Sequence, residues 1–567
     1  MVSFLLKAPK TVGINGLEEL FVSYPEPAFI LKDDTTELMV WGDPIPGESF
    51  NKSFPQNRKV DFILDNLYGH YYFILLNHRS GRLIVGNSYF SILPIYYYET
   101  EESAFFSDNA IRLGRYCGKT NLSRRFIFET TLFNYPLFNH SVVEGINLLR
   151  SSSFFLLSGG KLEVIRHTNI DRSFVEGPSG WHNAIPGTAD YFLTSSKKYF
   201  PEEHYFNSFT GGFDGRTLAA SAISMGRRFT SFCFGSESSC DIQVAEAATR
   251  SAGIPFMDII LDDDYIKQES LNNGKEFILN SSGTGTFERA HYLFAAKQLK
   301  ERGKWMVTGN FGSEILKSPH SRGELLSQNI FQLFKSPDPE SAFEIIERST
   351  EFRVLNKESF KDDWNELKSD LQKLPCYSSE YKHLSKNRQF YVFLFEEVFR
   401  KYFGAEMINQ FNYIRNRTPF IDIDFIRVLL KTGLAGAYTQ FDAENPVKRY
   451  KGQVLYAAIM RKAFPLLGRI KTDKGYRPDD LLTFSGKIRI AQNYFRKVLS
   501  RNINDPDPNQ VLKSWNENRT YWLGLPSSPD LFSNNDELKK WQDVPGRILF
   551  RICTINYLKA QLAGDED

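Results

Sequence analysis

The first 170 residues alternate short apolar or aromatic runs with turn residues, which is the pattern of an antiparallel β structure. The runs are Asp61–Leu64, Tyr71–Leu76, Arg82–Gly86 and Ile95–Tyr98. Two further runs, Ser153–Leu157 and Leu162–Arg166, flank a Ser-Gly-Gly-Lys turn, which predicts a β-hairpin. We therefore expect stacked antiparallel sheet up to about Thr168.

Beyond Trp181, runs of strand length alternate with segments of helical periodicity. The predicted strands are Tyr205–Phe209, Phe229–Phe234, Phe256–Leu261 and Trp305–Val307. The predicted helices are Ala189–Lys198, Thr217–Met225, Ile242–Ala252 and Glu288–Arg302. Because strand-helix-strand units pack as parallel strands covered by helices, this order predicts a parallel α/β sheet. Beyond about Pro337 the pattern is mostly helical.

Composition narrows the class of protein. The chain has 567 residues, 42% hydrophobic and 24% charged, which indicates a folded protein of two large domains or about three smaller ones. The net charge of +2 gives no basic field of the kind that attracts nucleic acid. The five cysteines are scattered without a CxxC pair, so neither a structural zinc nor a disulfide framework is indicated.

Apolar runs are too short for a membrane segment. None reaches the roughly 20 residues that span a bilayer, and the apolar stretch within Met1–Lys10 is too brief for a signal peptide. We expect a cytoplasmic protein with no membrane and no nucleic-acid partner, and we allow for a homodimer.

The loop Phe209–Thr217, with the sequence Phe-Thr-Gly-Gly-Phe-Asp-Gly-Arg-Thr, follows the first predicted strand of the α/β part. Open α/β sheets bind ligands at this position. Two glycines let the backbone turn its N–H groups inward as an anion cradle, at the positive end of the next helix. A carboxylate there, Asp214, implies a cation that accompanies phosphate, and its oxygens suit Mg²⁺. The other interpretation is a tight turn with Asp214 as helix N-cap.

Two further segments carry candidate chemistry. Val307–Glu314 also ends a strand and contains two glycines and Glu314. Arg469–Tyr476 contains Lys471 and Lys474, either of which could stabilise developing negative charge. The surrounding stretch from Lys448 to Arg501 is basic, and we expect it to face triphosphate or solvent.

These segments resemble those of the asparagine synthetase family. Thr210–Thr217 resembles the S-G-G-x-D-S PP-loop, with Gly215 in place of the last Ser. Val307–Glu314 is similar to the S-G-x-G-x-D-E loop, with Phe311 in place of Gly and Ser313 in place of Asp. Arg417–Asp422 and Arg469–Tyr476 resemble the R-x-P-F-L-D and R-x-K-x-G-F segments. Parts of the first 150 residues resemble the glutamine amidotransferase domain, namely Gly69–Tyr98, Ala104–Asp108 and Glu144–Leu149.

The resemblance implies a fold and a division of the chain. The fold is α/β with an α+β N-terminal part: an Ntn-hydrolase-type sandwich over residues 1–170, then a PP-loop parallel-sheet domain over 180–567 with a helical region from about 337. Position 2 is Val2, where the family's glutaminase has its Cys nucleophile. The first domain is therefore expected to be inactive, as in the β-lactam synthetase and lasso-peptide cyclase branch.

The resemblance also implies site residues. ATP and pyrophosphate would be bound by Thr210, Gly211, Gly212, Phe213, Asp214, Gly215, Arg216, Thr217, Phe234, Gly309 and Glu314. Asp214 and Glu314 would hold Mg²⁺, and Lys474, with Lys471 as the alternative, would act with Asp214 in catalysis. Phe234 has a second interpretation as a core residue.

The implied activity is that of an ATP-dependent, AMP-forming carbon–nitrogen ligase. A small-molecule or peptide carboxylate would be activated as an acyl-adenylate with release of pyrophosphate, and an amine or ammonia would then form the amide. One alternative is asparagine synthesis from aspartate and free ammonia. The other is a degenerate, non-catalytic protein that binds a ligand on a synthetase fold.

Overall fold

The computed structural model describes residues 2–10, 16–48, 50–54, 59–168, 170–317, 325–441, 450–499, 507–533 and 546–564. Its architecture is α/β, as expected, with two antiparallel sheets in the first part and a parallel sheet flanked by helices after it. Within the described ranges, no helix combines the length and the apolar character needed to cross a bilayer.

Two antiparallel sheets form the first part. Their strands are β1 (Leu5–Pro9), β2 (Phe21–Ser23), β3 (Pro27–Lys32), β4 (Thr36–Pro46), β5 (Leu67–Asn77), β6 (Arg82–Asn87), β7 (Tyr96–Glu99), β8 (Ser103–Ser107), β9 (Asn147–Leu148), β10 (Ser153–Ser158) and β11 (Lys161–Arg166). The strand orders are β2-β1-β8-β7-β9 and β11-β10-β6-β5-β4-β3. Phe155 of the second sheet contacts Tyr97 and Phe106 of the first, with ring centroids 4.7 and 4.9 Å apart. The two sheets therefore pack face to face as a sandwich.

Most of the predicted strands are confirmed, and one is wrong. Asp61–Leu64 lies inside the helix Val60–Asn66. Val60, Ile63 and Leu64 are buried at helical spacing on one face of that helix. A run of only four residues is too short to distinguish a helix from a strand, because its apolar residues can be buried in either element.

The second part contains a parallel sheet of five strands, β12 (Tyr205–Ser208), β13 (Phe229–Gly235), β14 (Phe256–Ile260), β15 (Trp305–Val307) and β16 (Arg415–Arg417). The order is β14-β13-β12-β15-β16, and every pairing is parallel. The four predicted strands are confirmed. β12, which precedes the first glycine loop, is central, and β15, which precedes the second, is its neighbour.

Helices cover this sheet and make up most of the chain after it. Those of the sandwich are Phe50–Ser53, Val60–Asn66, Ala110–Tyr116 and Arg124–Phe133. Those around the parallel sheet are Trp181–Ser196, Asp214–Ser224, Cys240–Ala252, Ser270–Asn280, Ala290–Lys300 and Gly312–Leu316. Those that follow are Gln328–Lys335, Pro339–Ile346, Thr350–Arg353, Lys361–Leu371, Lys386–Phe393, Gly404–Phe411, Ile423–Leu429, Lys451–Ala463, Pro465–Gly468, Phe484–Leu499, Val511–Gly524 and Arg547–Ala563. Tyr265–Glu269 and Leu394–Phe403 are π-helical.

Short 3₁₀ segments connect these elements. They are Glu18–Leu20, Tyr89–Ser91, Ile170–Ser173, Lys197–Tyr199, Phe287–Arg289, Ser379–Tyr381, Pro419–Ile421, Gly436–Tyr438 and Pro478–Leu482.

The sandwich is joined to the parallel sheet by buried polar contacts. Arg417, at the end of β16, donates two hydrogen bonds to Asp43 of β4, at 2.6 and 3.0 Å. The next residue, Thr418, is hydrogen bonded to His70 of β5 at 2.7 Å. Farther along, the Lys401 ammonium donates to the carbonyl oxygens of Pro136 and Phe138. The bonds of Arg417 and Thr418 fix the edge of the parallel sheet against the sandwich, and those of Lys401 fix the π-helical segment Leu394–Phe403.

Candidate functional site

The two glycine loops meet at Asp214, because β12 and β15 are adjacent and their carboxyl ends lie at one edge of the sheet. A Cβ on Gly309 would lie 2.5 Å from the Cβ of Asp214, and one on Gly312 would lie 2.6 Å from its Oδ1. Both positions therefore require glycine. The sequence placed these loops 95 residues apart, counted from Asp214 to Gly309, and the structure brings them into contact.

Asp214 is the first residue of the helix Asp214–Ser224, and Phe213 is its N-cap. The alternative interpretation of Asp214 as the N-cap is therefore wrong. Its carboxylate instead accepts a hydrogen bond from Ser313 Oγ at 2.9 Å and another from the Tyr456 hydroxyl. Each carboxylate oxygen keeps a second lone pair, so these bonds hold the group in place and leave it able to bind a cation.

Phe311 occupies a backbone conformation that favours glycine. Its φ is +71°, and the left-handed region costs a non-glycine residue about 1–2 kcal/mol. Its ring is fully buried against Phe399 and Phe403, with centroids 4.9 and 4.6 Å away. The loop thus keeps the conformation that glycine would adopt, and burial of an aromatic ring offsets the strain.

Glu314 lies beside Asp214 and completes a pair of carboxylates. Burial, and secondarily the nearby Asp214 carboxylate, raise the pKa of Glu314 to about 7. Two carboxylates and the Ser313 hydroxyl form a set of hard oxygen donors, which fits Mg²⁺ that keeps several water ligands. No cluster of three or more His, Cys, Asp or Glu side chains suited to a metal occurs among the residues that the structure covers.

Burial of the Glu314 carboxyl, with the Asp214 carboxylate as a smaller cause, makes the stability of the fold depend on pH. Because the folded-state pKa of Glu314 is raised from 4.5 to about 7, its contribution to folding is complete below pH 4.5 and is lost as the pH rises through 7. We expect the free energy of unfolding of the wild type to fall by about 2 kcal/mol between roughly pH 5 and pH 8 because of Glu314, and we expect Glu314→Gln to lack this fall. Urea unfolding at the two pH values measures this. Glu344→Gln, at an exposed glutamate, is the control and should leave the wild-type pH dependence unchanged.

The N–H groups of the first loop are partly engaged within the protein. Gly211 N–H donates to the Asp241 carboxylate at 3.0 Å, and Gly212 N–H to the Thr210 hydroxyl at 3.3 Å. Asp473 closes over the same glycine, since its N–H donates to the Gly211 carbonyl at 3.1 Å. Burial raises the pKa of Asp241. A phosphate in this cradle would have to displace or share the Asp241 contact.

Gly215, where the resembling loop has Ser, is required by the backbone. A Cβ at this position would lie 2.0 Å from the carbonyl oxygen of Ser208. The loss of a hydroxyl here therefore follows from the close approach of helix and strand.

Gly215→Ala is expected to destabilise the fold by about 3 kcal/mol, because that clash is with backbone and cannot be relieved by a side-chain rotation. Gly212→Ala is the matched control, since its nearest contact, Thr210 Oγ1, would be 3.5 Å away. Thermal unfolding of the two variants gives the comparison. Similar melting temperatures for both would contradict the expected clash.

Arg216 is buried and holds the segment that carries Lys474. Its guanidinium donates to the carbonyl oxygens of Leu467, Ile470 and Lys471 at 3.3, 2.8 and 3.1 Å. Burial lowers the pKa of Arg216 to about 10. These bonds give Arg216 a positioning role, while its direct contact with phosphate stays a prediction.

The structure places Lys474 beside the first loop, while its catalytic role stays a prediction. Its ammonium lies 5.4 Å from the centroid of the Phe213 ring, which is itself buried. Thr210 is exposed and Thr217 is buried in the helix. Phe234 is the next-to-last residue of β13 and is half-buried, with its ring 5.6 Å from that of His291, which favours its interpretation as a core residue.

Sequence reasoning missed Tyr456 and Lys317 as members of this site. Tyr456 lies inside the helix Lys451–Ala463, 242 residues from Asp214. No motif marks it, because an apolar helix with one tyrosine is typical of a core helix. Lys317 follows Glu314 by three residues, and its ammonium donates to Ser313 Oγ at 2.9 Å.

No protein-family model matches this chain, and no curated protein matches it either. Among solved structures, glutamine phosphoribosylpyrophosphate amidotransferase from B. subtilis, complexed with ADP and GMP, is similar to it at a TM-score of 0.16 and 8% identity. The match covers 56% of this chain and 68% of that one. At this TM-score the similarity carries no inference about the chemistry of the chain.

Proposed function

We propose that this protein is an ATP-dependent carbon–nitrogen ligase that activates a substrate carboxylate as an acyl-adenylate. The observation that supports it most is the convergence of three separate segments on one edge of the parallel sheet. Gly309 and Ser313 contact Asp214, and the segment of Lys474 closes over Gly211 and Phe213. A chance resemblance in sequence would not predict that these segments meet.

The residues of the site have roles that suit this reaction. Asp214 and Glu314 would hold Mg²⁺, whose positive charge offsets the negative charge of the triphosphate. The start of the helix Asp214–Ser224 directs backbone N–H groups toward the same point. Lys474 would stabilise charge that develops on the α-phosphate and the acyl carbon.

The proposed reaction has two steps: pyrophosphate is displaced from the α-phosphorus, and AMP is then displaced from the acyl carbon. A carboxylate oxygen attacks the α-phosphorus, the bond to the bridging oxygen of the β-phosphate breaks, and pyrophosphate leaves. An amine or ammonia then attacks the acyl carbon, the bond to AMP breaks, and a proton is released with the amide. The substrate is a small-molecule or peptide carboxylate, and asparagine synthesis from free ammonia is one case of this scheme.

The sandwich is proposed to be structural, without a glutaminase activity of its own. Val2 is 5% exposed, and its carbonyl accepts a hydrogen bond from Trp41 Nε1 at 3.2 Å. Phe4 is fully buried, with its ring 5.1 Å from those of Trp41 and Tyr72. Aromatic side chains thus pack closely around Phe4, and we propose that the amine comes from solution or from the substrate.

One observation favours the second candidate, a protein that binds a ligand without turnover. The Asp241 carboxylate accepts the Gly211 N–H that would otherwise be directed at phosphate. A cradle already holding a carboxylate would bind triphosphate weakly.

Exchange of radiolabelled pyrophosphate into ATP tests the proposal. The full chain is incubated with Mg²⁺, ATP and pools of candidate carboxylic acids, amino acids and peptides. Exchange that depends on one pool would support adenylate formation and identify the substrate class. Nucleotide binding near −8 kcal/mol by calorimetry, a micromolar dissociation constant, without exchange in any pool would instead favour the non-catalytic candidate.

A further inference from the structure

Lys317 lies at the same site as Asp214 and Glu314, and the reaction proposed above gives it no role. It follows the helix Gly312–Leu316 and lies at the end of a chain of polar contacts that begins at Asp214. We propose that Lys317 binds the departing pyrophosphate, and so acts as a second phosphate-binding cation of the site; this inference rests on the proposed function.

The hydrogen bonds fix the direction of this chain of contacts. The Lys317 ammonium can donate only, so Ser313 Oγ accepts from it at 2.9 Å. The Ser313 hydroxyl then donates its own proton to Asp214 Oδ2, also at 2.9 Å. The serine therefore separates the ammonium from the carboxylate by one hydroxyl group, and it orients both of them.

The Lys317 side chain is also confined by packing. Its Nζ lies 5.7 Å from the centroid of the Tyr456 ring, and the hydroxyl of that ring donates to the other oxygen of Asp214. The Lys317 side chain is half-buried. The ammonium is thus held near Asp214 and Glu314, and the side chain stays partly exposed.

The charge of Lys317 is not neutralised by direct contact. In the part of the chain that the structure describes, no carboxylate lies within ion-pair distance of its ammonium, whose hydrogen-bond partner is a neutral hydroxyl. A lysine with a purely structural role beside two carboxylates would be expected to pair with one of them, because a half-buried unpaired charge is costly. An ammonium held apart in this way is suited to an anion that arrives later, and lysine binds phosphate as a point charge.

The role assigned to Lys317 differs from that of Asp214 and Glu314. Those carboxylates suit a cation that accompanies the nucleotide, while Lys317 contacts the anion directly. Its effect should therefore be large for ligands that contain the β- and γ-phosphates, and small for AMP, which lacks them.

Calorimetry with inorganic pyrophosphate and with AMP, each in the presence of Mg²⁺, tests this assignment on the full chain. We expect Lys317→Met to weaken pyrophosphate binding about tenfold or more, with AMP binding unchanged, and Lys317→Arg to restore most of the affinity. Lys300→Met, at an exposed lysine of the helix Ala290–Lys300, is the control and should bind both probes as the wild type does.

The possible results distinguish failure of the Lys317 assignment from failure of the proposed ligase function. Equal pyrophosphate affinity in the wild type and Lys317→Met, with nucleotide binding intact, would overturn the role of Lys317 alone. Absence of pyrophosphate and nucleotide binding in the wild type would overturn the proposed function with it. If Lys317→Met fails to fold, Lys317→Gln serves instead, since it keeps a side-chain donor for Ser313 and removes the charge. It should weaken pyrophosphate binding and leave AMP binding unchanged.

Discussion

Asp214→Ala is expected to abolish pyrophosphate release and to reduce the affinity for an ATP analogue with Mg²⁺ by at least about a hundredfold. The carboxylate is the point at which both glycine loops and Tyr456 meet, so its removal takes away the cation ligand and the acceptor of two hydrogen bonds. Calorimetry with a non-hydrolysable analogue measures binding, and pyrophosphate release measures turnover.

Two controls separate the charge of Asp214 from its packing. Asp214→Asn keeps the shape and one acceptor, so it should fold as the wild type does and still lose turnover. Asp34→Ala removes an exposed carboxylate from the turn between β3 and β4, and it should have no effect on either measurement. Full pyrophosphate release by Asp214→Ala would exclude a catalytic role for the loop.

Arg417→Ala is expected to lower the free energy of unfolding by about 3–5 kcal/mol, because it leaves a buried carboxylate without its partner. Asp43 is 2% exposed and accepts both hydrogen bonds of the guanidinium. In the variant the remaining donor is Trp305 Nε1, at 3.4 Å. Urea unfolding followed by tryptophan fluorescence gives the difference.

Arg427→Ala is the matched control for this experiment. Arg427 also links the two parts of the chain, through Asp65, but the side chains of this pair are 39% and 51% exposed. Exposed pairs contribute about 0–1 kcal/mol, so the control should unfold nearly as the wild type does. An Arg417→Ala variant no less stable than Arg427→Ala would show that burial of Asp43 carries little energy. The double variant Asp43→Asn with Arg417→Met should regain part of the loss, since it leaves no unpaired charge.

The strands at the centre of the parallel sheet could be predicted because they are largely buried and rich in aromatic and apolar residues. β13, with the sequence Phe-Thr-Ser-Phe-Cys-Phe-Gly, is an example. β16 could not be predicted in this way, since it has the sequence Arg-Asn-Arg. Its polar residues are held by partners distant in sequence: Asn416 accepts from Thr308 Oγ1 at 2.9 Å, and Arg417 binds Asp43. Local pattern contains no information about such partners.

The residues of the candidate site also fall into those that local sequence pattern predicts and those that only tertiary contacts identify. Its glycines could be predicted, because a loop that must approach another backbone needs them wherever it occurs. Tyr456 and Lys317 could not, since each acts through one tertiary contact to Asp214 or to Ser313. Arg216 shows the converse: its position beside the loop indicated phosphate, and the structure uses its guanidinium to hold Leu467, Ile470 and Lys471.

The bonds between β4 and β16 have a consequence for how this protein could have changed over time. Asp43 and His70 belong to the sandwich, while Arg417 and Thr418 follow the second glycine loop by about a hundred residues. A gene shortened to the α/β part would encode a sheet edge with an orphaned arginine and, at Lys401, a buried ammonium without its two carbonyl partners. Selection for folding alone would therefore retain the sandwich in the lineage, even after any chemistry once performed there had been lost.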